Sequence, residues 1–262
     1  MTAVRVRVAH GSPCWVTLLV HDLDRAQAFY SALLGWEFAP GAAEPGGGLR
    51  ATRLGAGVAG IGLAPELPAA PAEWTAYFAV DSADAASARV REHGGTVAVG
   101  PLSEGPAGRL AIAADLSGAV FGLWEGHEHL GWELVGEPGA PAWTELVTGD
   151  GPTAAAFYGA VFERRVVEAD PSAVACGEED AALRTAGQRV AGLRITGLGG
   201  TGDLRDGPPR WRIHFAVADA DLTSDQCRAL GGAVLVEPRD TPYGRVARLA
   251  DPEGARFSVV AL

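Results

Sequence analysis

The sequence predicts an α+β fold of two tandem domains, because one pattern of strands and a helix occurs twice in each half of the chain and both halves share it. Residues 14–38 align with residues 142–166, and residues 77–101 align with residues 214–238. An internal repeat on this scale determines the architecture before any single element is considered. We therefore expect four βαβββ units, two in each domain.

The elements of the first half follow from local patterns. A β-rich run at Trp15–Val20 precedes a helix at Leu23–Leu34, which Asp22 caps and Gly35 ends. The remaining elements of this half alternate in the same way and end in three short strands. We predict strands at Trp36–Ala39, Leu49–Leu54, Val58–Leu63, Thr75–Val80, Thr96–Val99, Arg109–Ala113 and Ala119–Trp124, and a second helix at Ala83–His93.

The repeat also predicts the domain boundaries. We expect the first domain at 12–126, a linker at 127–140 and the second domain at 141–262. The linker contains the sequence H-E-H at 127–129, which favours a solvated segment over a metal site. A long Gly/Asp-rich loop at Gly197–Pro209 interrupts the second half, where a flap or a solvated loop is expected.

Composition excludes several classes of function. The net charge is −11 and all 21 basic residues are Arg, so the chain lacks the basic surface that nucleic acids and anionic membranes require. No apolar run is long enough to span a membrane, and the N-terminus has no secretion signal. The three Cys lack metal-binding or disulfide spacing, and we expect Cys14 and Cys227 to be buried. These features favour a cytoplasmic protein with a small-molecule ligand, as a monomer or homodimer.

Three motifs resemble those of the vicinal oxygen chelate superfamily, the group of glyoxalases, bleomycin-resistance proteins and dioxygenases. They are D-L-x-x-A-x-x-F-Y-x-x-x-L-G from Asp22, F-A-V-D from Phe78, and D-P-x-G from Asp251, which Asp115 matches in the first half. The opening G-S-P-C-W is similar to that of actinobacterial two-domain glyoxalase-like proteins. The resemblance implies that the paired units of each domain form a cupped, eight-stranded mixed sheet with flanking helices.

The resemblance also implies positions for metal ligands, because metal-using members present His, Gln or Glu from the first strand of each unit and Glu from the last strand. The matching positions in this chain are Trp15 and Trp143, Thr75 and Arg212, and Gly122 and Ser258. None of these residue types is a usual ligand for a divalent metal. We therefore expect no metal and no other cofactor, although a register shift of one residue would relocate Glu145 or His214.

Alternation along the strands then predicts what faces each cup. In the first half the predicted lining is aromatic and neutral, as in a packed core or in a slot for a flat ligand. It consists of Trp15, Thr17, Thr75, Tyr77, Val120, Gly122 and Trp124. In the second half the predicted lining is charged, as in an exposed open sheet with a solvated Glu–Arg pair or in a polar active or binding site. It consists of Trp143, Glu145, Arg212, His214, Arg256 and Ser258, with Tyr243 at the rim.

Two functions remain open from these residues. In the first, His214 transfers a proton, Glu145 orients it, and Arg212 and Arg256 hold an oxyanion, as a metal-independent dehydratase or cyclase of a polyketide-like substrate requires. In the second, the protein sequesters a drug or metabolite and leaves it unchanged, as bleomycin-resistance relatives do. A metal-dependent glyoxalase or dioxygenase is disfavoured by the residues at the ligand positions.

Overall fold

A computed structural model describes residues 8–41, 48–64, 72–163, 167–168, 180–182, 193–196 and 208–262 of the chain. Within these residues, the predicted α+β fold is confirmed. Each half consists of two βαβββ units in succession, as the repeat predicts. The part of the Gly/Asp-rich loop from residue 197 to residue 207 lies outside the described residues, so the prediction of a flap stays a prediction.

The elements of the first half lie close to their predicted bounds, and helix α1 has the bounds that its caps predict. They are β1 (Pro13–Val20), α1 (Leu23–Leu34), β2 (Glu37–Pro40), β3 (Leu49–Arg53), β4 (Ala56–Leu63), β5 (Trp74–Ala79), α2 (Ala83–Glu92), β6 (Thr96–Ser103), β7 (Gly108–Ala114) and β8 (Val120–Gly126).

The second half repeats this order. Its elements are β9 (Pro141–Val147), α3 (Gly151–Val161), β10 (Val167–Glu168), β11 (Asp180–Ala182), β12 (Leu193–Thr196), β13 (Arg210–Val217), α4 (Ala220–Ala229), β14 (Ala233–Thr241), β15 (Gly244–Ala250) and β16 (Arg256–Ala261).

Helix ends follow from their capping residues. Asp22, Ser82, Asp150 and Asp219 each accept a hydrogen bond from a backbone N–H in the first turn of the helix that follows. These side chains satisfy donors that have no partner within the helix. Gly35 ends α1 in the left-handed region at φ 68°, a conformation that glycine adopts without strain.

The strands form two mixed sheets of eight, and each sheet belongs to one half of the sequence. The strand order is β2-β3-β4-β1-β5-β8-β7-β6 in the first half and β10-β11-β12-β9-β13-β16-β15-β14 in the second. In each four-stranded half of a sheet, the first and last strands of one unit are parallel, and the remaining neighbours are antiparallel.

The compact units of the chain interleave the two halves of the sequence. The first unit comprises Met1–Cys14, Ala76–Gly131 and Trp143–Trp211, and the second comprises Trp15–Thr75, Trp132–Ala142 and Arg212–Leu262. The sheets thus follow the halves, whereas each compact unit combines one βαβββ unit from the first half with one from the second. The proposed domains at 12–126 and 141–262 stay a prediction.

Each compact unit contains one Tyr–Asp hydrogen bond that joins its two βαβββ units. In the second unit, the Tyr30 hydroxyl on α1 donates to Asp251 Oδ2 over 3.0 Å. In the first unit, the Tyr158 hydroxyl on α3 donates to Asp115 Oδ2, also over 3.0 Å. The Phe-Tyr helix of one half therefore bonds to the D-x-x-G turn of the other half. Burial and the adjacent carboxylate raise the pKa of both tyrosines well above the ordinary value, so both hydroxyls stay protonated donors.

Aromatic side chains fill the cores around these pairs in matching arrangements. Tyr30 stacks on Trp36 with 5.2 Å between ring centroids, and Tyr158 stacks on Phe162 with 6.1 Å. Phe29 meets Phe257 edge to face in the second unit, as Phe157 meets Phe121 in the first. Such edge-to-face and offset contacts add to the hydrophobic gain of burial.

The segment between the halves is ordered and partly buried, so the expectation of a solvated linker is wrong for His129. Its side chain is 4% exposed, and its carbonyl oxygen accepts from Trp124 Nε1 over 2.7 Å. Further along, the Gly139 carbonyl accepts from Trp36 Nε1 and the Pro138 carbonyl accepts from Arg53 Nε. The sequence did not indicate these contacts, because a Gly/Pro-rich segment has no periodicity from which to infer burial.

No helix in the described part of the chain is both long and apolar enough to cross a membrane.

Candidate functional site

The two copies of the fold present one row of side chains at the same place. In the first compact unit, Tyr77 on β5 is in register with Gly122 on β8, and Gly122 is in register with Ile112 on β7. Residues in register project from the same face of a sheet. In the second unit the corresponding row is His214 on β13, Ser258 on β16 and Arg248 on β15. This register confirms the predicted equivalence of Tyr77 with His214 and of Gly122 with Ser258.

The row in the first unit is filled by one aromatic ring. A Cβ placed on Gly122 would lie 2.1 Å from Cδ1 of Tyr77, so the ring occupies the space that any larger residue at position 122 would need. Tyr77 is 4% exposed. The predicted aromatic lining here is packed against its own sheet.

The row in the second compact unit is polar, with His214 and Ser258 buried and Arg248 half-buried. His214 is 4% exposed and Ser258 is fully buried. Arg212, two residues before His214 and therefore on the same face, is 7% exposed. The Ser258 hydroxyl has no hydrogen-bond partner among the described residues. Burying several polar groups on one face is costly. A buried charge loses roughly several kcal/mol of hydration free energy, even after the protein around it has relaxed.

The other predicted residues of the second-half site lie in different places. Trp143 and Glu145 lie on β9 in the first unit, where Glu145 is buried and Trp143 is half-buried. Arg256 begins β16 and is exposed. Tyr243 is half-buried in the β14–β15 turn, which the Thr241 hydroxyl holds by donating to the Gly244 carbonyl over 2.7 Å. This turn is five residues from Arg248, roughly 17 Å along the strand.

In the first half, the structure adds two residues that the sequence reasoning missed, Arg50 and Glu133. The Arg50 guanidinium carbon lies 5.2 Å from the centroid of the Trp15 ring, and its Nη2 lies 3.1 Å from Glu133 Oε1. Trp15 is fully buried, whereas the Arg50 side chain is partly exposed. The glycines of β4, in A-G-V-A-G-I-G, were the signal in the sequence, because they leave room above that strand.

Of the remaining predicted residues of the first half, Val120 at the start of β8 is exposed, and the others are buried or half-buried. Thr17 on β1 is 6% exposed and Thr75 on β5 is half-buried. Trp124 on β8 is 1% exposed and donates to the His129 carbonyl, so it belongs to the core of the first unit. These positions favour the packed-core interpretation for Trp124 and Tyr77.

The residues do not fit a divalent metal at the positions that the resemblance assigns. Tyr77 covers Gly122, Trp15 lies beneath a guanidinium, and Arg212 is itself a cation. Across the part of the chain that the structure describes, no three or more His, Cys, Asp and Glu residues gather as a metal site would require. The donor set therefore suits acid–base and oxyanion chemistry better than Lewis-acid chemistry.

The two described cysteines are free and buried, as predicted. Burial raises the pKa of the Cys14 thiol far above its ordinary value and raises that of Cys227 to about 11. A protonated thiol is a poor nucleophile, so neither side chain is suited to covalent catalysis near neutral pH.

Comparison with protein families gives two matches. The family described as "Glyoxalase-like domain" matches residues 128–260, and the family described as "Bleomycin resistance protein-like N-terminal" matches residues 14–45. The first match covers both units of the second half, and the second covers β1 and α1.

Two curated relatives align over nearly the whole chain. A Mycobacterium tuberculosis protein named "Putative glyoxylase CFP32" is 36% identical over 98% of this chain and 97% of its own length. The protein named "Anthracycline biosynthesis protein DauV", from a Streptomyces species, is 38% identical over 98% of this chain and 95% of its own length.

Solved structures share the fold at low identity. The Mn(II)-bound glyoxalase from Novosphingobium aromaticivorans superimposes with a TM-score of 0.63 at 18% identity, covering 95% of this chain and 82% of that chain. The 2,3-dioxygenase LapB from Pseudomonas sp. KL28 gives the same TM-score at 16% identity, covering 98% of this chain and 94% of that chain.

Proposed function

Since the chain belongs to the vicinal oxygen chelate superfamily as a glyoxalase-like protein, we propose that it is a metal-independent enzyme of secondary metabolism. In this proposal it dehydrates or cyclises an aromatic, oxygen-rich, polyketide-like substrate. The observation that carries the proposal is the buried polar row of His214 and Ser258, with Arg212 on the same face. The other copy of the fold fills the same row with Tyr77 over Gly122.

Divergence within one chain supports a functional reading of that row. Both copies keep the same strand register, so the backbone does not demand polar residues there. The second copy nevertheless buries an imidazole and a hydroxyl where an aromatic ring packs in the first. Even when buried polar groups are paired, an apolar side chain of similar volume is often at least as stable, which favours a site over a second packed core.

The proposed chemistry is proton transfer with stabilisation of an oxyanion. The His214 imidazole accepts a proton from a carbon next to a substrate carbonyl, while the Arg212 guanidinium binds the enolate oxygen that forms. The enolate then expels a β-hydroxyl group, which takes the proton from the imidazolium and leaves as water. In a ring closure, the enolate carbon instead attacks a second carbonyl, whose oxygen takes that proton. Arg256, two residues before Ser258 on β16, is the proposed contact of a second oxygen at the site's edge.

The relatives support the substrate class. DauV and the Streptomyces peucetius protein DnrV are both named for anthracycline biosynthesis, and each is 38% identical to this chain over 98% of its length. Anthracyclines are flat aromatic polyketides with many oxygens, so dehydration and ring closure are reactions that their assembly requires. A role in secondary metabolism is therefore part of the proposal for this chain.

The test is an incubation of chelator-treated protein with a panel of aromatic polyketides, analysed by LC–MS. We expect a product that is isomeric with its substrate or lighter by one water. His214→Gln lowers the rate by about 10²–10⁴-fold, the usual contribution of a general acid or base. His93→Gln, the same change at an exposed helix end, leaves the rate unchanged. Equal rates for wild type and His214→Gln would refute the proposed role.

A second function, sequestration without turnover, is favoured by one specific observation. The bleomycin-resistance-like match covers residues 14–45, the segment that contains Trp15, and Trp15 supports the Arg50 guanidinium. In this case a compound binds tightly and is recovered intact. Equilibrium dialysis followed by LC–MS of the bound fraction distinguishes the two functions, because only the enzyme changes the mass or retention time of its ligand.

A further inference from the structure

The Arg50 guanidinium in the first half lies on a face of the sheet that three strands share. Arg50 on β3 is in register with Gly60 on β4, and Gly60 is in register with Thr17 on β1. Residues in register, and residues two apart on one strand, share a face of the sheet, so Arg50, Thr17 and Trp15 project together. Gly60 contributes no side chain between them.

Three contacts fix the position of the guanidinium. Its carbon lies 5.2 Å from the centroid of the Trp15 ring, within the range of a cation–π interaction. Its Nη2 lies 3.1 Å from Glu133 Oε1. A Cβ on Gly57 would lie 2.2 Å from the same Nη2, so the guanidinium occupies space that only glycine leaves open.

Glu133 is itself held in place by β4. Its other carboxylate oxygen, Oε2, accepts from the Gly57 N–H over 2.7 Å, and its own N–H donates to the Gly57 carbonyl over 3.0 Å. Exposed ion pairs are usually loose and contribute little to stability. Here both partners are oriented by backbone and aromatic contacts, which is the arrangement expected of a recognition group held ready for a ligand.

We propose that Arg50 is the recognition group of a binding site in the first half for a flat aromatic ligand that carries carbonyl or phenol oxygens. Ligand oxygens accept hydrogen bonds from the guanidinium, which is planar and packs well against aromatic rings. The Arg50 side chain is 22% exposed, whereas Trp15 is fully buried, so the guanidinium is the part that a ligand reaches. Since Glu133 balances its charge, the site favours a neutral quinone or phenol over an anion.

This inference rests on the sequestering function proposed above and names its recognition group. The test uses the full chain, equilibrium dialysis, and two probes of similar shape: 1,8-dihydroxyanthraquinone, and anthracene as a comparator without oxygen. Wild type is expected to bind the quinone in preference to anthracene. Arg50→Met weakens binding of the quinone about tenfold, equivalent to ~1.4 kcal/mol, and abolishes the preference. Arg50→Lys does not restore it, because an ammonium lacks the planar fork.

Two further variants separate recognition from folding. Gly57→Ala keeps an ordinary backbone conformation but displaces the guanidinium, so it should weaken the quinone about as much as Arg50→Met while the thermal midpoint changes little. Arg53→Met is the matched control. Arg53 lies on the same strand and bonds the Pro138 carbonyl of the segment that carries Glu133, yet it lies outside the Trp15 contact. It should bind like wild type.

The possible outcomes are distinct. Wild-type affinity in both Arg50→Met and Gly57→Ala would overturn the inference while leaving sequestration elsewhere in the chain intact. An equal loss in Arg53→Met would also overturn it, because the effect would then be loosening of the inter-half segment. No binding of either probe by wild type would overturn the inference and the sequestering function together. The dialysis measures no turnover, so its result is independent of the catalytic role of His214.

Discussion

Tyr77 and His214 occupy equivalent positions in two copies of one fold, and the contrast between them is the most informative in the molecule. Each is in register with the last strand of its unit, Tyr77 with Gly122 and His214 with Ser258. In the first copy the pair is one large ring over a glycine. In the second it is two small polar groups, both buried. The space between the two paired positions is filled by different side chains, while the backbone register stays the same.

The two copies use the same place on the sheet differently: one packs an aromatic ring there, and the other carries the polar groups to which the proposed function assigns chemistry. A copy that fills its row with Tyr77 leaves no space beside Gly122 for another group. A copy with His214 and Ser258 keeps polar atoms at that place, where the first copy has an aromatic ring. Both compact units, by contrast, have the Tyr–Asp pair.

The largest effect is expected when the residue of one copy is placed into the other. Gly122→Ser puts a side chain 2.1 Å from the Tyr77 ring and should lower the free energy of unfolding by about 2–3 kcal/mol, as overpacking of a core does. Urea unfolding measures the change. Adding Tyr77→His to Gly122→Ser reproduces the pair of the second copy and should recover most of the loss. Full stability of Gly122→Ser alone would show that the row is not packed as described.

The second prediction compares the two Tyr–Asp pairs. Tyr30→Phe and Tyr158→Phe each remove a buried hydrogen bond to a carboxylate, which costs about 1–3 kcal/mol. The loss should be larger for Tyr158, because its oxygen also accepts from Trp211 Nε1 over 3.0 Å. Parallel chemical denaturation of both variants gives the ranking. A larger loss in Tyr30→Phe would contradict it.

The third prediction concerns the pH dependence of the second pair. Burial raises the pKa of the Asp251 carboxyl above its ordinary value, although backbone N–H groups and Tyr30 donate to it. A folded-state pKa above the unfolded one stabilises the fold at low pH, and this contribution is lost as the pH rises through the folded-state value. Asp251→Asn cannot ionise.

The free energy of unfolding of wild type, relative to Asp251→Asn, should therefore fall as the pH rises from the ordinary pKa of an Asp carboxyl, about 4, through the raised folded-state pKa. Denaturant titrations of both proteins across that range measure the difference. A difference that grows with pH would mean that the folded state favours the ionised carboxylate.

The smallest effect is expected at Ser258. Its hydroxyl is fully buried without a hydrogen-bond partner among the described residues, so Ser258→Ala removes a polar group that contributes no bond to the fold. Stability should change by less than about 1 kcal/mol. Thermal unfolding measures the change. A small effect here and a large one in Gly122→Ser would show that the two equivalent positions differ in packing. A large loss would show that the hydroxyl is part of the packing.

Much of the fold was accessible from the sequence, because local signals agree with the repeat. Helix α1 runs from Leu23 to Leu34 as its caps predict, and the alignment of the halves placed Tyr77 opposite Gly122 and His214 opposite Ser258. The polar row was found for the same reason, since alternation along a strand is a local property. The orienting role of Glu145 toward His214 is still a prediction, and so are the roles of Arg256 and Tyr243.

Arg50, Glu133 and His129 were not accessible in this way. Arg50 lies on a short strand of unremarkable composition, and Glu133 and His129 lie in an aperiodic segment. Arg50 contacts Trp15, and Glu133 bonds Gly57, which is 76 residues earlier in the chain. His129 bonds Trp124, which precedes it by five residues across a bend in the chain. A sequence pattern predicts which face a residue occupies, but not which distant side chain covers that face.

The repeat and the elements of each βαβββ unit can be predicted from the sequence, because they depend on periodicity and capping over a few residues. Which βαβββ units pack against each other depends on the folded structure. Tyr30 has two equivalent candidates in the sequence, Asp115 and Asp251, and nothing local distinguishes them. The fold selects Asp251, 221 residues away, because the aromatic faces of α1 and β16 bury each other in the second unit. Such a choice is made by complementary surfaces, which exist only once the chain has folded.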